Sequence, residues 1–343
     1  MGLNEIFFLF FFNIISFIIL NFILIKKNFL IDRVFDKEIH KKFVNQELVP
    51  LTGGIILLLN CIFLNFFDNF YYQLCFVAIF SIGLLSDTGN LTSPFKRLLM
   101  QLLFIIIFLY YQEVLIETVR IDLIDNFLEN KFFSILFTSF CFLILINGSN
   151  FIDGINFQSS GYYLVLIFSL IFFNNEIINE MKSKIFFSIL IFLLVFIFFN
   201  IQNKSFLGDG GIYLLSFIVG LLLIEMQKIT NISPYYVVVL LWYPAFENLF
   251  SIIRKILITK KKPDQADTFH LHHLLVKYFK SKLEINIKKI SLFTSVLINT
   301  FNFIFFLIAT KFIYSTKILL LIVVLNCLAY LLVYNFLLKK DKK

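Results

Sequence analysis

Long runs of apolar residues, separated by short polar segments, follow one another along almost the whole chain. A helix needs roughly 17–25 mostly apolar residues to cross the hydrocarbon core of a bilayer. Eleven runs approach or reach that length. The shortest runs are compatible with helices that end at a polar site within the membrane rather than at its surface. The predicted transmembrane spans are 5–25, 51–67, 70–86, 98–112, 132–147, 159–175, 185–201, 212–227, 234–250, 290–310 and 316–338.

The composition agrees with this pattern. Of the 343 residues, 59% are hydrophobic and 15% are charged, whereas soluble domains average roughly 45–50% and about 25%. These values exclude an ordinary soluble enzyme and a disordered chain, and four cysteines without a Cys-x-x-Cys pair argue against a disulfide scaffold. We predict an all-α polytopic membrane protein in which residues 1–343 form one integral membrane domain and a cytoplasmic-side site is built from inter-helix loops.

The basic residues predict the orientation of this bundle. With the N-terminus outside, 23 of the 30 Lys and Arg residues fall in inside segments, as the positive-inside rule requires. The same bias accounts for the net charge of +8, so we predict no nucleic-acid partner. The first run lacks a basic segment before it and a small-residue cleavage site, so it is predicted as a span rather than a signal peptide. The predicted inside segments are 26–50, 87–97, 148–158, 202–211, 251–289 and 339–343.

Five polar groups interrupt the apolar pattern on the predicted inside face. The first, Gly83 to Leu91, ends a span with Asp87 and precedes Arg97. A carboxylate at bilayer depth costs about 2.5–3.5 kcal/mol on insertion scales, which makes Asp87 a functional candidate. At the interface this cost falls away, so a structural role for Asp87 is equally open.

The second group, Asn147 to Asn156, contains Asn147, Asn150 and Asp153. Amides both donate and accept hydrogen bonds, as uridine, sugar hydroxyls and a hydrated metal ion require. A polar turn between two spans is the alternative, since Asn, Asp and Gly are common turn residues. The number of such residues favours a binding role.

The third group, Phe206 to Gly211, looks like a glycine-rich phosphate loop but lacks the lysine and hydroxyl pair of a P-loop. A nucleotide triphosphatase is therefore excluded. What remains is one carboxylate, Asp209, at the start of a predicted helix whose free N–H groups can bind a phosphate. Asp209 offers a hard oxygen ligand to Mg²⁺, and an Asp-Gly turn is the alternative.

The fourth group lies in and beside the longest inside loop, 251–289, and contains three of the four histidines. On a helix, His270 and His273 would share a face and His272 would be turned away. The spacing of a zinc site is absent, and histidine together with Arg254 suits an anionic diphosphate. We assign the lysine run 260–262 to topology or lipid headgroups, and a solvated basic loop is the alternative.

The fifth group is the loop 26–50, which contains His40 and ends at Pro50. Pro50 suits the start of the second span. A lone histidine such as His40 is more often structural, so no role is predicted for it.

The order and spacing of these groups resemble the polyprenyl-phosphate N-acetylhexosamine-1-phosphate transferase family, which also includes phospho-N-acetylmuramoyl-pentapeptide transferase. The resemblance covers about Asp32 to Leu275. It implies transfer of a sugar-1-phosphate from a UDP-sugar to a polyprenyl phosphate, with release of UMP. The matching residues are Pro50, Gly53, Gly54, Asp87, Arg97, Gln101, Asn147, Asn150, Asp153, Gly154, Phe206, Gly208, Asp209, Gly211, Arg254, His270, His272 and His273.

The resemblance also implies a role for individual side chains. Asp209 corresponds to the family's metal-binding aspartate and would hold Mg²⁺, with Mn²⁺ as an alternative ion. Asp87 corresponds to the first of an aspartate pair proposed to handle the lipid phosphate, and Asp153 completes the catalytic candidates. The implied substrate-binding residues are Arg97, Asn147, Asn150, Arg254, His270, His272 and His273.

Three positions depart from the family pattern. Thr88 stands where a second aspartate is usual, Gly210 stands where Thr or Ser is frequent, and the loop after Asp153 lacks a second Asp-Gly or Asn-Gly. Because of Thr88, a catalytically impaired homologue is one alternative. A transporter or flippase of lipid-linked sugars is another, but its polar residues should lie near the midplanes of broken spans.

The resemblance finally implies a place in the cell. The enzyme would lie in the bacterial inner membrane, with its site facing the cytoplasm, its N-terminus outside and its C-terminus inside. It would carry out the initiating step of a surface glycan such as lipopolysaccharide, in contact with membrane lipids. UDP-N-acetylglucosamine is the default donor, a deoxy-amino-sugar donor is equally compatible, and the oligomeric state is not predicted.

Overall fold

The computed structural model describes residues 2–32, 48–64, 69–173, 183–259 and 268–341. Almost all of these residues are helical, and the two short strands β1 (Ile31–Asp32) and β2 (Val49–Pro50) pair antiparallel. The helices are α1 (Leu3–Lys27), α2 (Gly53–Phe63), α3 (Phe70–Asp87), α4 (Pro94–Gln112), α5 (Asp122–Leu128), α6 (Lys131–Ile152), α7 (Gln158–Phe173), α8 (Ser183–Ile201), α9 (Gly208–Thr230), α10 (Pro234–Arg254), α11 (Leu271–Lys280), α12 (Ile287–Thr310) and α13 (Thr316–Asp341).

The prediction of an all-α polytopic membrane protein is confirmed. Nine helices in the described part of the chain are long and apolar enough to cross a membrane, namely α1, α3, α4, α6, α8, α9, α10, α12 and α13. The shorter apolar helices α2 and α7 contain 11 and 16 residues and fall on the predicted spans 51–67 and 159–175. Every predicted span therefore overlaps a helix.

Some predicted loop residues are helical. Helix α6 continues to Ile152, through the predicted start of an inside loop. The half-buried Asn147 is accommodated in the helix because its Nδ2 donates to Leu143 O at 2.9 Å. Helix α10 continues to Arg254 and is followed by a π-helical turn over Lys255–Thr259. Helix α11 lies within the predicted loop 251–289. The predicted spans end where polar residues begin, but backbone hydrogen bonding can continue a helix through polar residues.

Polar residues fix where several helices begin. Asn69 accepts a hydrogen bond from the Tyr71 backbone at the start of α3. Asn130 and Asn286 cap α6 and α12 in the same way. Asparagine suits these positions because its side-chain oxygen satisfies an N–H group that has no partner within the helix.

Helix α9 is the centre of the bundle. Its residues from Gly210 to Ile224 are all buried, and it packs against α2, α3, α6 and α10. A helix that is apolar on every face is typical of such a central position. The N-terminus of α9 therefore lies inside the bundle, where it carries Asp209 to a place surrounded by other helix ends.

Two contacts between glycines bring neighbouring helices against the start of α9. A Cβ atom on Gly54 would lie 2.6 Å from Gly211 Cα, and one on Gly83 would overlap the backbone of Gly210. Gly210 and Gly211 are helical residues in these contacts. The likeness of this segment to a phosphate loop is therefore misleading, because these two glycines allow close helix packing.

Candidate active site

A cleft of about 710 Å³ opens where helix ends meet. The C-terminal ends of α3, α6 and α8 surround it, together with the N-terminal ends of α4 and α9. These ends belong to inside segments predicted from the sequence, and the structure brings them together at one side of the bundle. Of the predicted site residues, Asp87, Arg97, Asn150, Asp153 and Asp209 line the cleft.

Asp87 is bound to the N-terminus of the central helix. Its Oδ1 accepts a hydrogen bond from the Asp209 backbone at 2.9 Å, and its Oδ2 accepts one from Gly210 at 3.2 Å. Gly208, with φ of 71°, turns the chain into α9, and a Cβ atom there would lie 2.7 Å from Asp87 Oδ2. Asp87 therefore caps α9, and both of its oxygens have partners within the protein.

Asp209 is paired with Arg97. Its Oδ2 accepts hydrogen bonds from Arg97 Nη1 at 2.9 Å and from the Ser86 hydroxyl at 2.6 Å. Arg97 also donates to Ser86 at 2.7 Å. The side chains of Arg97 and Asp209 are 20% and 25% exposed, so an anion entering the cleft can reach both.

The segment before Asp209 is held by the start of α2. Phe206 N donates to Pro50 O at 3.0 Å, and Gly53 N donates back to Phe206 O at 3.0 Å. The buried Thr52 hydroxyl lies 2.7 Å from Ser205 Oγ. Pro50 lies in β2, before the start of α2, rather than at the first turn of a helix. The fifth polar group thus supports the segment that carries the carboxylate.

Asp153 follows the last residue of α6 and accepts a hydrogen bond from the Ser159 hydroxyl. Burial, together with the nearby negative charge of Asp209, raises the pKa of Asp153 to about 7, against the lowering effect of the Ser159 hydrogen bond. Asn150 lines the cleft one turn earlier in α6. Asn147 lies deeper in the bundle, where its amide donates to Gln101 Oε1 at 3.0 Å, and it does not line the cleft.

The histidines lie beside the Asp153 loop. A Cβ atom on Gly154 would overlap His272 Nε2 and lie 3.1 Å from His273 Nε2. The ring centroid of His270 is 5.9 Å from that of His272 and 6.2 Å from that of His273. The expectation that His272 is turned away from the other two is wrong. His270 is the N-cap of α11 and has extended backbone angles, so helical spacing does not apply to it.

Arg254 lies buried at the end of α10. Its guanidinium is 5.6 Å from the ring centroid of Phe269, next to His270 in the chain. Arg254 therefore lies beside the residue that precedes the histidines, while His272 and His273 lie directly behind Gly154. They do not line the cleft themselves. The lysine run 260–262 and His40 lie outside the described residues.

Three residues contribute to the site without having been assigned a role. Ser86 bridges Arg97 and Asp209, while Glu247 and Tyr330 lie behind the histidines. Glu247 carried a signal in the sequence, because an ionisable residue inside an apolar span marks a functional position by default. Nothing in the local sequence distinguishes Tyr330 from the other tyrosines.

Thr88 stands where the resemblance led us to expect a second aspartate. Its hydroxyl donates to Leu84 O at 3.0 Å and to Leu85 O at 3.2 Å, at the exposed end of α3. This side chain is therefore directed towards its own helix. The structure gives Thr88 a local role in ending α3.

The donor set fits Mg²⁺ better than zinc. Within the described ranges, no three His, Cys, Asp or Glu residues are grouped so that they could hold a metal ion. Mg²⁺ is usually bound through one or two carboxylates plus substrate phosphates and water. Asp209 in an open cleft is compatible with that arrangement, whereas a structural zinc site needs four protein ligands.

The comparisons with known proteins give one family model and two relatives. The model of glycosyl transferase family 4 matches residues 69–227, which contain every predicted site residue that lines the cleft. Undecaprenyl-phosphate alpha-N-acetylglucosaminyl 1-phosphate transferase from Thermotoga maritima is 26% identical over 251 residues, which are 73% of this chain and 74% of that protein. A protein named probable undecaprenyl-phosphate N-acetylglucosaminyl 1-phosphate transferase from Bacillus subtilis is 22% identical over 259 residues, 72% of this chain and 70% of its own length.

The apolar helices and the charged cleft at their ends define a multi-pass membrane protein with a polar site at one side of the bundle. These matches support a likeness to glycosyl transferase family 4. Within that family, the chain is similar to undecaprenyl-phosphate N-acetylglucosaminyl 1-phosphate transferases. The resemblance inferred from the motifs is confirmed.

Proposed function

We propose that this protein transfers N-acetylhexosamine-1-phosphate from a UDP-sugar to a polyprenyl phosphate and releases UMP. The relatives' names contain both the lipid phosphate acceptor and the 1-phosphate transfer. The observation that carries the proposal is the juxtaposition of Asp209 and Arg97, both partly exposed, in one open cleft. UDP-N-acetylglucosamine is the first donor to test.

The reaction needs little covalent help from the protein. An oxygen of the lipid phosphate attacks the β-phosphorus of the donor, the bond from that phosphorus to the bridging oxygen breaks, and UMP leaves with the bond's electrons. The second pKa of the lipid phosphate is near 6 by analogy with phosphoserine, so the attacking group is largely dianionic at neutral pH. Positioning and charge neutralisation then carry the catalysis.

Each group in the cleft suits one of these tasks. Asp209 would hold Mg²⁺, which when bound neutralises charge on the diphosphate. Arg97 can meet an anion in the cleft, since it is partly exposed and already faces Asp209. Asp153 and Asn150 would face the nucleotide-sugar. The histidines lie directly behind the cleft residue Gly154 and, with Arg254, would act on the diphosphate from there. The hydrogen bonds of Asp87 favour an orienting role over deprotonation of the lipid phosphate.

The location of the cleft suits two very different substrates. One substrate is anchored in lipid and the other is a soluble, charged nucleotide-sugar, so the reaction requires a polar site that opens among apolar helices. We infer that the whole chain is one membrane domain with eleven crossings, including the short helices α2 and α7. The protein would then lie in a bacterial inner membrane with the cleft on its cytoplasmic side. UDP-sugars are made in the cytoplasm.

A release assay tests the proposed reaction. Membranes containing the protein, supplied with UDP-N-acetylglucosamine, undecaprenyl phosphate and Mg²⁺, should release UMP. A chelator or the Asp209→Asn variant should abolish the release, because the diphosphate charge is then no longer neutralised. An absence of UMP across a panel of UDP-sugars would contradict the proposal and favour an inactive homologue or a transporter.

Labelling with a membrane-impermeant thiol reagent tests the orientation. Lys204 is exposed at the cleft side, before α9, and Lys131 is exposed at the opposite end of α6. A cysteine at Lys131 should be labelled on intact cells, and a cysteine at Lys204 only after the membrane is permeabilised. The unsubstituted chain, whose four cysteines lie in its helices, is the control. The reverse pattern would invert the proposed topology.

A further inference from the structure

A buried carboxylate holds the histidine segment from the side away from Gly154. Glu247, in α10, is 1% exposed, and its Oε1 lies 2.9 Å from His270 Nδ1. The same oxygen accepts a weaker hydrogen bond from Leu271 N at 3.4 Å, at the start of α11. Glu247 thus contacts both the histidine and the helix that follows it.

The last helix supplies the other partner of this carboxylate. The Tyr330 hydroxyl, in α13, donates to Glu247 Oε2 at 2.8 Å. Tyr334, one turn later, donates to Phe269 O at 3.0 Å, immediately before His270. The two tyrosine rings are stacked, with centroids 5.8 Å apart and planes 9° apart. Helix α13 is therefore connected to the histidine segment at two successive positions.

Burying an ionised carboxylate is expensive unless its oxygens are satisfied by charged or hydrogen-bonding groups. Tyr330 is the partner of Glu247 Oε2, and His270 is the nearer of the two partners of Oε1, the other being the Leu271 backbone. The arrangement also assigns the ring nitrogens of His270. Since Nδ1 faces Glu247, any ligand must be met by Nε2.

We propose that Glu247 and Tyr330 are positioning residues for donor binding: they fix His270 in the orientation in which the histidine group meets the diphosphate of the nucleotide-sugar. This inference rests on the proposed function. It makes the last helix, which lies outside the matched family region, part of the donor site. The lipid phosphate acceptor should be indifferent to both residues, because they act only through the histidine segment.

Steady-state kinetics on the full-length protein in detergent test the proposal. Tyr330→Phe keeps the ring and removes one hydrogen bond, so the KM for the UDP-sugar should rise roughly three- to tenfold. Glu247→Gln should raise it more, while the KM for polyprenyl phosphate stays within about twofold of the wild-type value in both variants. Tyr110→Phe, an exposed tyrosine at the far end of α4, is the matched control and should change neither constant.

The double variant adds a second readout. Because Tyr330 acts through Glu247, the donor KM of the double variant should equal that of Glu247→Gln alone. A role in stability alone predicts a lower melting temperature with no selective change in donor KM, and independent roles predict additive effects. Either result, or an unchanged donor KM, would overturn the proposal.

Direct binding of UDP separates this inference from the proposed reaction. If the wild-type protein binds UDP and Tyr330→Phe weakens that binding, the positioning role stands even where no turnover is found. If the wild type releases UMP but UDP binding and donor KM are the same in both variants, the reaction stands and the positioning role is wrong. A wild type that neither turns over nor binds UDP contradicts both.

Discussion

The substitution Asp87→Asn distinguishes a carboxylate that caps a helix from one that acts on the substrate. In the structure, the two oxygens of Asp87 accept hydrogen bonds of 2.9 and 3.2 Å from the first turn of α9. That turn carries Asp209, so a change at Asp87 should lower both the stability of the fold and the rate of the reaction. A residue that only meets the lipid phosphate should affect the reaction alone.

The expected loss of stability follows from these contacts. Asparagine keeps one acceptor oxygen and so retains one of the two bonds. The backbone N–H that loses its acceptor is left without that partner at a part-buried position, which costs about 1–3 kcal/mol. The free energy of unfolding should therefore fall by roughly 1–3 kcal/mol in the Asp87→Asn variant.

The measurement is thermal unfolding in detergent together with kcat. The melting temperature should drop by several degrees, and kcat should fall by about ten- to hundredfold because Asp209 is displaced. Glu129→Gln, an exposed acid at the opposite end of the bundle, is the control for loss of a carboxylate and should change neither value. An unchanged melting temperature with complete loss of turnover would refute the capping role. It would indicate that Asp87 acts on the substrate instead.

Three further changes test other parts of the site. Gly83→Ala should destabilise the protein by about 1–3 kcal/mol by forcing a Cβ atom against Gly210, whereas Gly2→Ala, in open space, should melt as the wild type does. Thr88→Asp should leave kcat nearly unchanged, since the lipid phosphate needs no strong base, and a large gain in turnover would show that the natural pair is impaired. In the metal-free protein, the raised pKa of Asp153, about 7, means that the folded state binds the proton more tightly, so stability is lost as the pH rises from about 4 to 7. Asp153→Asn should thus gain melting temperature relative to the wild type at about pH 8 but not at about pH 4, and an equal difference at both would contradict that shift.

The helices were predictable because a bilayer imposes a simple requirement of length and apolarity. Each run of apolar residues fell on a helix of the structure, even where that helix is short, as in α2 and α7. The ends of helices were less predictable. Asn147 and Asn150 look like loop residues, but both lie within α6. The Asn147 amide is satisfied there by Gln101 and by the Leu143 carbonyl.

The chemistry of the site was predictable in kind but not in arrangement. Carboxylates and amides in the inside segments pointed to Asp87, Asp153 and Asp209, and all three line one cleft. Nothing in the sequence indicates that Asp87 accepts a hydrogen bond from the backbone of a residue 122 positions later. The contact between Glu247 and Tyr330, 83 residues apart, was equally hidden, because it depends on how α10 and α13 pack.

The central claim is that the phosphate attached to the sugar moves with it to the lipid. A donor labelled at the β-phosphorus, UDP-N-acetylglucosamine in the first instance, tests this directly when incubated with polyprenyl phosphate and the protein. The account predicts that the label enters the lipid phase in one-to-one ratio with UMP, and that Asp209→Asn abolishes both. Release of labelled UDP into the aqueous phase, with an unlabelled lipid product, would show transfer of the sugar alone and contradict the account.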